Sequence, residues 1–374
     1  MLVALPDAPL REGRAAGRCA LAMLRGLPAH GVEARALAAR AQWGMTGDPP
    51  ADVDVEMVAV PPEPPGWRSR LSRLRRPAGE LARSEFGERV REEVHQMDVL
   101  HLEEVDTAWC SENVAVPAGL RLHYLVRRDR GLGAPWRRDF RHVLEFELAE
   151  RVAIRRHGLL IAASPLVADE LAARAPKARV EVVPFCLDPD DYPTAPLGGR
   201  PAAGIIGTAT WPPTASAIGA LVRDVWPVVR PQVPEARLLV AGRGTASLAG
   251  LSGEPGVQVL GEVPSGGEFL RGLSVLVYPV ARGSGVKVKV LESIASGVPV
   301  VTTPAGAEGI EAGDGVVVAT DPQALASAVT ALLSDEDERR QRGEAARAAF
   351  LARYAPVPAT EPLAAIYRAI AEAS

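Results

Sequence analysis

The chain of 374 residues is 47% hydrophobic and 24% charged, with a formal net charge of −4, which predicts a globular protein of two domains and gives no reason to expect nucleic acid as a partner. Cys19, Cys110 and Cys186 are odd in number and far apart, so neither a disulfide framework nor a metal cluster is expected. The first residues turn polar too soon for a signal peptide, and no apolar run approaches the ~20 residues that span a bilayer, so we expect a cytoplasmic protein.

Short apolar runs in the first half of the chain are bounded by Gly, Pro and Asp and alternate with stretches of helical periodicity. This alternation is typical of βαβ units and a parallel sheet. The predicted strands are Leu2–Leu5, Val55–Val60, Val99–Leu102, Leu120–Leu125, Leu159–Ala163 and Val180–Pro184, with helices at Arg14–Leu27 and Val143–Arg156. Open α/β sheets bind ligands at the carboxyl ends of their strands, so the loops there are the candidate sites.

A basic amphipathic stretch, Trp67–Arg76, places Trp67, Leu71 and Leu74 at helical spacing beside five arginines. Such a stretch could contact an anionic membrane in a salt-sensitive way. It could equally be a solvated helix packed on its own domain, or a mobile element over an acceptor pocket. Because positive and negative residues nearly balance in the first half of the chain, the soluble interpretations are favoured over peripheral membrane contact.

A segment rich in Pro and Gly, 188–201, separates this pattern from a second one and predicts a linker. The domains are therefore expected at 1–187 and 202–355, with a C-terminal helix at about 356–374 that packs back on the first. Further strands are predicted at Ala203–Thr208, Arg237–Ala241, Val257–Leu260, Val275–Tyr278, Val298–Thr302 and Val316–Ala319. Further helices are predicted at Ala215–Val229, Val286–Ala295, Pro322–Leu333, Asp337–Tyr354 and Glu361–Glu372.

The chain has three lysines against 39 arginines, and two of them, Lys287 and Lys289, lie in one stretch that begins Arg282-Gly-Ser-Gly285. This glycine loop follows an apolar strand and precedes a helix, where backbone N–H groups and the helix dipole form an anion-binding nest. Lys287, placed by this prediction in the first helical turn, adds a compact charge that can follow a phosphate. Two lysines on a solvated helix are the alternative.

Glu292 falls two turns into the same helix, among apolar residues, so its carboxylate should be covered and needs partners. A functional role would be to accept hydrogen bonds from sugar hydroxyls. A structural role would be an i,i+3 pair with Lys289. The functional role is favoured, because a surface pair contributes only about 0.3–0.5 kcal/mol and needs no covered site.

The stretch 275–309 resembles the nucleotide-sugar site of family-4 retaining glycosyltransferases of GT-B fold, in a branch with a GSG-type donor loop. The resemblance is carried by Gly283-Ser-Gly285, Leu291-Glu-Ser293 and Gly297-Val-Pro-Val-Val301, and it extends upstream through Gly207-Thr-Ala-Thr-Trp-Pro212, Val240-Ala-Gly-Arg243 and Leu260-Gly-Glu-Val-Pro264. It implies two Rossmann-like parallel-sheet domains facing a central cleft. It also implies that Glu292 binds the donor ribose and that Gly283, Ser284, Gly285, Val286 and Lys287 face the diphosphate and the donor sugar.

Two departures from the family pattern concern this loop. The family often has a glutamate eight residues before Glu292, where this chain has Ser284, and a common basic pair is missing from Thr208–Thr214. Phosphate charge would then be met by Lys287, with Arg243 or an N-terminal arginine as further candidates.

The first half contributes weaker matches. Asp98-Val-Leu-His101 and Leu120-Arg-Leu-His123 resemble the family's two strand-end histidine segments, and His123 is expected beside the donor sugar, whereas His101 is taken as structural. Gly13 and Gly17 occupy the turn where the family has adjacent glycines under the donor phosphates. Arg14 and Arg18 are alternative anion ligands there.

The remaining motif is Asp188-Pro-Asp190-Asp191, which could be mistaken for a metal-binding D-x-D. It lies in the linker, Asp188 matches a structural aspartate of the family, and the resemblance implies transfer without a metal or other cofactor. The substrate is expected to be a UDP- or GDP-sugar.

The resemblance implies transfer of a sugar to a hydroxyl on a small-molecule, saccharide or lipid-linked acceptor with retention, with His123 and Lys287 as the catalytic candidates. The alternatives are a non-catalytic partner or regulatory subunit of the same fold, motivated by Ser284 and the missing basic pair, and, less favoured, a nucleotide-sugar epimerase.

Overall fold

The computed structural model describes residues 1–40, 47–62, 75–131, 136, 140–194, 201–248, 250 and 253–372. The chain forms two compact units. The first consists of Met1–Arg127, Gly131–Leu187 and Pro356–Ser374, and the second of Arg128–Arg130 and Asp188–Ala355. Most of the stretch Trp67–Arg76 lies outside the described residues; Arg76, at its end, pairs with Glu112 at 2.5 Å.

The first unit is built on a seven-stranded parallel sheet of order β3-β2-β1-β4-β5-β6-β7. Its strands are β1 Leu2–Leu5, β2 Arg35–Arg40, β3 Asp54–Ala59, β4 Leu100–Glu103, β5 Ala118–Leu122, β6 Leu159–Ala162 and β7 Arg179–Val182. Its helices are α1 Ala15–Gly26, α2 Glu80–Arg83, α3 Glu85–Glu93, α4 Glu104–Thr107, α6 Phe140–Arg156, α7 Pro165–Arg174 and α14 Pro356–Ala371, together with the first two residues of α5 Val126–Arg130, whose last three residues belong to the second unit. The central strands are buried on both faces, which is why they are continuous apolar runs.

Strand β2 was not predicted, because its sequence Arg35-Ala-Leu-Ala-Ala-Arg40 is rich in alanine, the residue with the highest helix propensity. The strand pairs in parallel with β1 on one side and β3 on the other. Ala36 to Ala39 are all buried, so tertiary packing overrides local propensity here.

Helix α14 completes the core of the first unit. Its residues Ala359, Leu363 and Tyr367 pack with β1 and α1 in one hydrophobic cluster. Gly26, at the end of α1, lies so close to the Pro356 carbonyl that any Cβ there would clash with it. Helix α14 is therefore an integral part of the first unit, although it is far from α1 in the sequence.

The second unit is built on a six-stranded parallel sheet of order β10-β9-β8-β11-β12-β13. Its strands are β8 Ala202–Ile206, β9 Arg237–Ala241, β10 Val257–Gly261, β11 Val275–Tyr278, β12 Val300–Thr302 and β13 Val316–Val318. Its helices are α8 Pro212–Ala220, α9 Trp226–Val229, α10 Gly266–Arg271, α11 Val288–Ala295, α12 Pro322–Ser334 and α13 Glu336–Arg353.

The single helix predicted at Ala215–Val229 is interrupted. Between α8 and α9 the residues Leu221–Val225 form a wider π-helical turn. Pro227 has no N–H to donate and would crowd the carbonyl four residues earlier, which explains why regular α-helical hydrogen bonding stops there.

Candidate functional site

The glycine loop of the second unit joins β11 to α11. Gly283 and Gly285 have φ angles of 146° and 70°, in the region that favours glycine, so these two positions require it. Helix α11 begins at Val288 rather than Val286, so the prediction of Lys287 in the first turn was wrong. Lys287 is instead the residue that precedes the helix.

Lys287 turns its ammonium group back onto the loop. Nζ donates to the Ser284 carbonyl at 3.1 Å and to the Gly285 carbonyl at 2.6 Å. Burial lowers the pKa of Lys287, although Asp129 and Glu308 act in the opposite direction. Two of its three hydrogens are thus engaged within the protein.

Asp129, which sequence reasoning missed, is bound directly to this loop. Its Oδ1 accepts from the Ser284 backbone N–H at 2.7 Å and from Ser284 Oγ at 2.6 Å. Burial raises the pKa of Asp129, while the Ser284 hydrogen bonds and Lys287 lower it in part. The next residue, Arg130, stacks over Trp211 at 4.8 Å, so the segment 128–130, which belongs to the second unit, contacts both the glycine loop and Trp211.

The other basic candidates of the second unit lie at its surface. Arg243 is 72% exposed and pairs with Glu262 at 3.3 Å. Arg282, the first residue of the loop motif, is also exposed, and within the described part of the chain no ion pair engages it. Val286 is buried beside the loop.

Glu292 is buried on α11 with only 3% of its surface exposed. Oε1 accepts a hydrogen bond from the Tyr192 hydroxyl at 3.0 Å. Oε2 pairs with Lys289 Nζ at 2.8 Å, so the structural i,i+3 pair considered above is present. A sugar hydroxyl would have to approach a carboxylate that these two residues already orient.

Tyr192 is held in place by Arg347 of α13. The Arg347 guanidinium donates to the Tyr192 carbonyl at 3.0 Å and also to the Ala295 carbonyl at the end of α11. Arg347 therefore joins the segment that contains Tyr192 to α11, the helix that bears Glu292. Asp188 caps the turn that precedes Tyr192 by accepting from the Asp190 N–H at 3.0 Å, which is a structural role.

His123 follows β5 in the first unit and lies between two carboxylates. Nε2 contacts Glu103 Oε2, and Nδ1 contacts Glu104 Oε1 at 2.6 Å. Burial alone would lower the pKa of His123, but Glu104 and Glu103 outweigh it and raise the pKa to about 9. Both ring nitrogens therefore carry protons at neutral pH, and both are engaged by the protein.

Glu103 connects His123 to a buried polar chain. Its other oxygen contacts His101 Nε2 at 2.9 Å, and His101 Nδ1 contacts the Tyr367 hydroxyl of α14 at 2.6 Å. Burial favours the neutral form of Glu103, yet His123, Arg121 and His101 hold its pKa well below the usual range. His101 is thus a buried part of this network, as its structural interpretation requires.

The residues predicted to bind phosphate in the turn after β1 all contact other residues of the first unit. Gly17 lies against the Ala8 carbonyl, which leaves no room for a Cβ. The Arg18 guanidinium donates to the Gly13 carbonyl, and Arg14 pairs with Asp7 at 3.1 Å. Gly17 and His123 line a small cavity of this unit together with Asp7 and Glu103.

Some site residues left little signal in the sequence. Asp129 lies within Val126-Arg-Arg-Asp-Arg130, which has the pattern of a solvated charge run, and Tyr192 lies in a proline-rich segment. Glu104 has a φ of 65°, unusual for a residue with a side chain, and this backbone conformation has no sequence signature.

Metal binding and membrane insertion are two further properties on which the described residues bear. Over these residues, no group of three or more His, Cys, Asp and Glu side chains is arranged to hold a metal ion. Among the helices that the structure describes, none combines the length and the apolar character needed to cross a membrane.

Comparison with known proteins relates the second unit to a family and the whole chain to a fold. Residues 200–335 match the family model described as glycosyl transferases group 1. No curated protein sequence matches the chain. The structure is similar to Anabaena Alr3699/HepE in complex with UDP and glucose, with 17% identity over 98% of this chain and 99% of that chain and a TM-score of 0.65.

Two further solved structures give the same result. WaaG, a glycosyltransferase involved in lipopolysaccharide biosynthesis, has 16% identity over 98% of this chain and 99% of that chain, with a TM-score of 0.64. A glycosyltransferase from Rickettsia africae ESF-5 has 13% identity over 100% of this chain and 99% of that chain, with a TM-score of 0.62. The predicted GT-B fold, with two Rossmann-like parallel-sheet domains, is confirmed.

Proposed function

We propose that this chain is a retaining glycosyltransferase of the family-4 type, which transfers a sugar from a nucleoside diphosphate sugar to a hydroxyl-bearing acceptor. The observation that carries the proposal is Glu292. It is a carboxylate buried on α11 and oriented by Tyr192 and Lys289, inside the stretch that matches the group 1 glycosyltransferase model. A buried, oriented acceptor is suited to binding the hydroxyls of a ribose.

The donor nucleotide is assigned to the second unit and the acceptor to the first, in keeping with the resemblance. The structure of HepE with UDP-glucose supports a uridine nucleotide as the first donor to test. The three cysteines are buried and form no disulfide among the described residues, which fits a reducing compartment, so we place the reaction in the cytoplasm.

In the proposed reaction the protein positions the donor and stabilises charge on the leaving diphosphate. Lys287 is the cationic side chain of the loop, and its partial burial strengthens its interaction with an anion. To reach a phosphate, the Lys287 ammonium has to exchange a carbonyl of Ser284 or Gly285 for the ligand. The released diphosphate oxygen would take the acceptor proton, so no protein base is required.

His123 would contribute as a charged residue and not as a base. Because its pKa is about 9, it holds its proton at neutral pH. It can orient a donor sugar only by exchanging Glu103 or Glu104 for a ligand hydroxyl.

A donor panel tests the proposal. The purified protein is incubated with UDP-glucose, UDP-N-acetylglucosamine, GDP-mannose and ADP-glucose, and release of the nucleoside diphosphate is measured with and without simple glycoside acceptors. We expect one donor to turn over, a product with the donor's anomeric configuration by NMR, and a loss of at least about 10²-fold for Lys287→Ala. Lys177→Ala, at an exposed lysine of the first unit, is the matched control.

Three results would contradict the proposal in different ways. Tight nucleotide-sugar binding without hydrolysis or transfer would favour a non-catalytic protein of the same fold. A modified free sugar nucleotide among the products would indicate an epimerase. A product with the opposite anomeric configuration would contradict retention but would leave the proposed sugar transfer intact.

A further inference from the structure

We propose that Asp129 is a sugar-binding residue, which presents its carboxylate from the glycine loop to hydroxyl groups of the transferred sugar. The inference deepens the proposed function and rests on it. In this arrangement the centre of the glycine loop, at Ser284, faces the sugar of the donor. The diphosphate does not bind the Ser284 N–H.

The first step concerns orientation. Ser284 donates twice to the same oxygen of Asp129, through its backbone N–H at 2.7 Å and its hydroxyl at 2.6 Å. Two donors on Oδ1 fix the plane of the carboxylate. Among the described residues, no hydrogen-bond donor is assigned to Oδ2, which lies on the side of Gly283. Asp129, which is buried with 5% of its surface exposed, is therefore a pre-oriented acceptor whose second oxygen makes no hydrogen bond within the described residues.

The second step concerns charge. Asp129 and Glu308 both act electrostatically on Lys287, so this part of the loop combines two carboxylates with one ammonium group. A phosphate oxygen cannot share the Ser284 N–H with Asp129, and it would be repelled by that carboxylate at close range. These contacts disfavour an anion at the Ser284 amide.

The third step identifies the ligand chemistry. An ionised carboxylate accepts hydrogen bonds from N–H or O–H groups, and the most numerous donors of a nucleoside diphosphate sugar are its O–H groups. In a nucleoside diphosphate sugar these groups belong to the ribose and to the sugar. Glu292, buried and oriented on α11, is the carboxylate proposed for the ribose. The hydroxyl groups of the transferred sugar are therefore assigned to Asp129.

The position of Asp129 is supported from its own short segment. Arg130 stacks on Trp211 at 4.8 Å, which positions the segment 128–130 within the second unit independently of Ser284. The carboxylate is thus fixed by its neighbour as well as by its hydrogen bonds. A fixed geometry is what a residue needs to discriminate between hydroxyl configurations.

The test compares Asp129→Asn with the wild type, using UDP-glucose and UDP, or GDP-mannose and GDP if the donor panel selects that pair. The variant keeps an acceptor for Ser284 but loses the charge. We expect its Kd for the nucleoside diphosphate to stay within about threefold, and its kcat/KM for the sugar donor to fall at least about tenfold. Asp321→Asn, at an exposed helix start of the same unit, is the control.

Monodeoxy analogues of the donor sugar give a readout that a structural role would not produce. Removal of the hydroxyl that Asp129 binds should lower kcat/KM at least about tenfold in the wild type. In Asp129→Asn the same removal should lower kcat/KM less than about threefold, because the carboxylate that accepts from this hydroxyl is already absent. Thermal unfolding monitored by circular dichroism verifies that the variant folds.

Several outcomes would overturn the inference. Equal weakening of diphosphate and sugar donor would make Asp129 a structural residue. Tighter binding of both would mean that Asp129 occupies the phosphate position and excludes the donor. An unchanged deoxy-sugar pattern would remove the sugar contact while the proposed function stood. A wild type that binds none of the panel would refute the proposed function itself.

Discussion

The charge of His123 provides a quantitative prediction. The unperturbed pKa is 6.5, and the flanking carboxylates raise it to about 9 in the folded protein. Since a tenfold change in a dissociation constant corresponds to about 1.4 kcal/mol, the folded state favours the charged imidazole by about 3 kcal/mol relative to the unfolded chain. His123→Gln removes this contribution and takes away the cation between Glu103 and Glu104, although Glu103 retains Arg121 at 3.5 Å.

The sign follows from the direction of the shift. Because the folded pKa is raised, the stabilisation is complete below pH 6.5 and is lost as the pH rises through about 9. Wild type and His123→Gln should therefore differ most in free energy of unfolding near pH 6.5. The difference should narrow by about 3 kcal/mol towards pH 9.5.

Two measurements test this prediction. NMR titration of the imidazole resonances gives the pKa directly, with the His123→Gln spectrum identifying one signal among six histidines. Urea unfolding of both proteins at pH 6.5, 8 and 9.5 gives the stability difference. A His123 signal that titrates near or below 6.5, or a stability difference independent of pH, would refute the reasoning.

Three further predictions follow from particular contacts. Glu292→Ala should weaken UDP-glucose binding at least about tenfold and Tyr192→Phe by a smaller factor, because Tyr192 only orients the carboxylate; isothermal titration tests this, and equal effects would contradict it. Gly26→Val should lower the free energy of unfolding by about 1–3 kcal/mol through a clash with the Pro356 carbonyl, without changing donor affinity, as urea unfolding and titration would show. Asp321→Ala removes the acceptor for the Ala324 N–H and should cost about 1 kcal/mol of stability; no change in the urea midpoint would argue against that cap.

Most strands of both sheets were predictable, because a buried parallel strand must be a short apolar run. Leu2–Leu5, Arg237–Ala241 and Val275–Tyr278 have the predicted bounds. Strand β2 was not predictable from local propensity, since its alanines become a strand only when flanked by β1 and β3. The local sequence contains no information about these neighbouring strands.

The candidate site shows the same division between local and non-local information. The loop and the covered position of Glu292 are local patterns, and both could be seen in the sequence. Asp129 precedes Ser284 by 155 residues, and no local pattern joins them. The serine at the position where family-4 glycosyltransferases often have a glutamate was visible, but the carboxylate that the fold brings next to Ser284 was not.

The membership of Asp129 in the second unit has a consequence for chimeras made between proteins of this fold. The second unit is not one continuous stretch, because residues 128–130 belong to it while the chain around them belongs to the first. A chimera joined at Leu187 would take its glycine loop from one parent and the carboxylate bonded to that loop from the other. Donor preference in such chimeras should therefore not follow the second half alone, and exchanging three residues near position 129 together with that half should restore it.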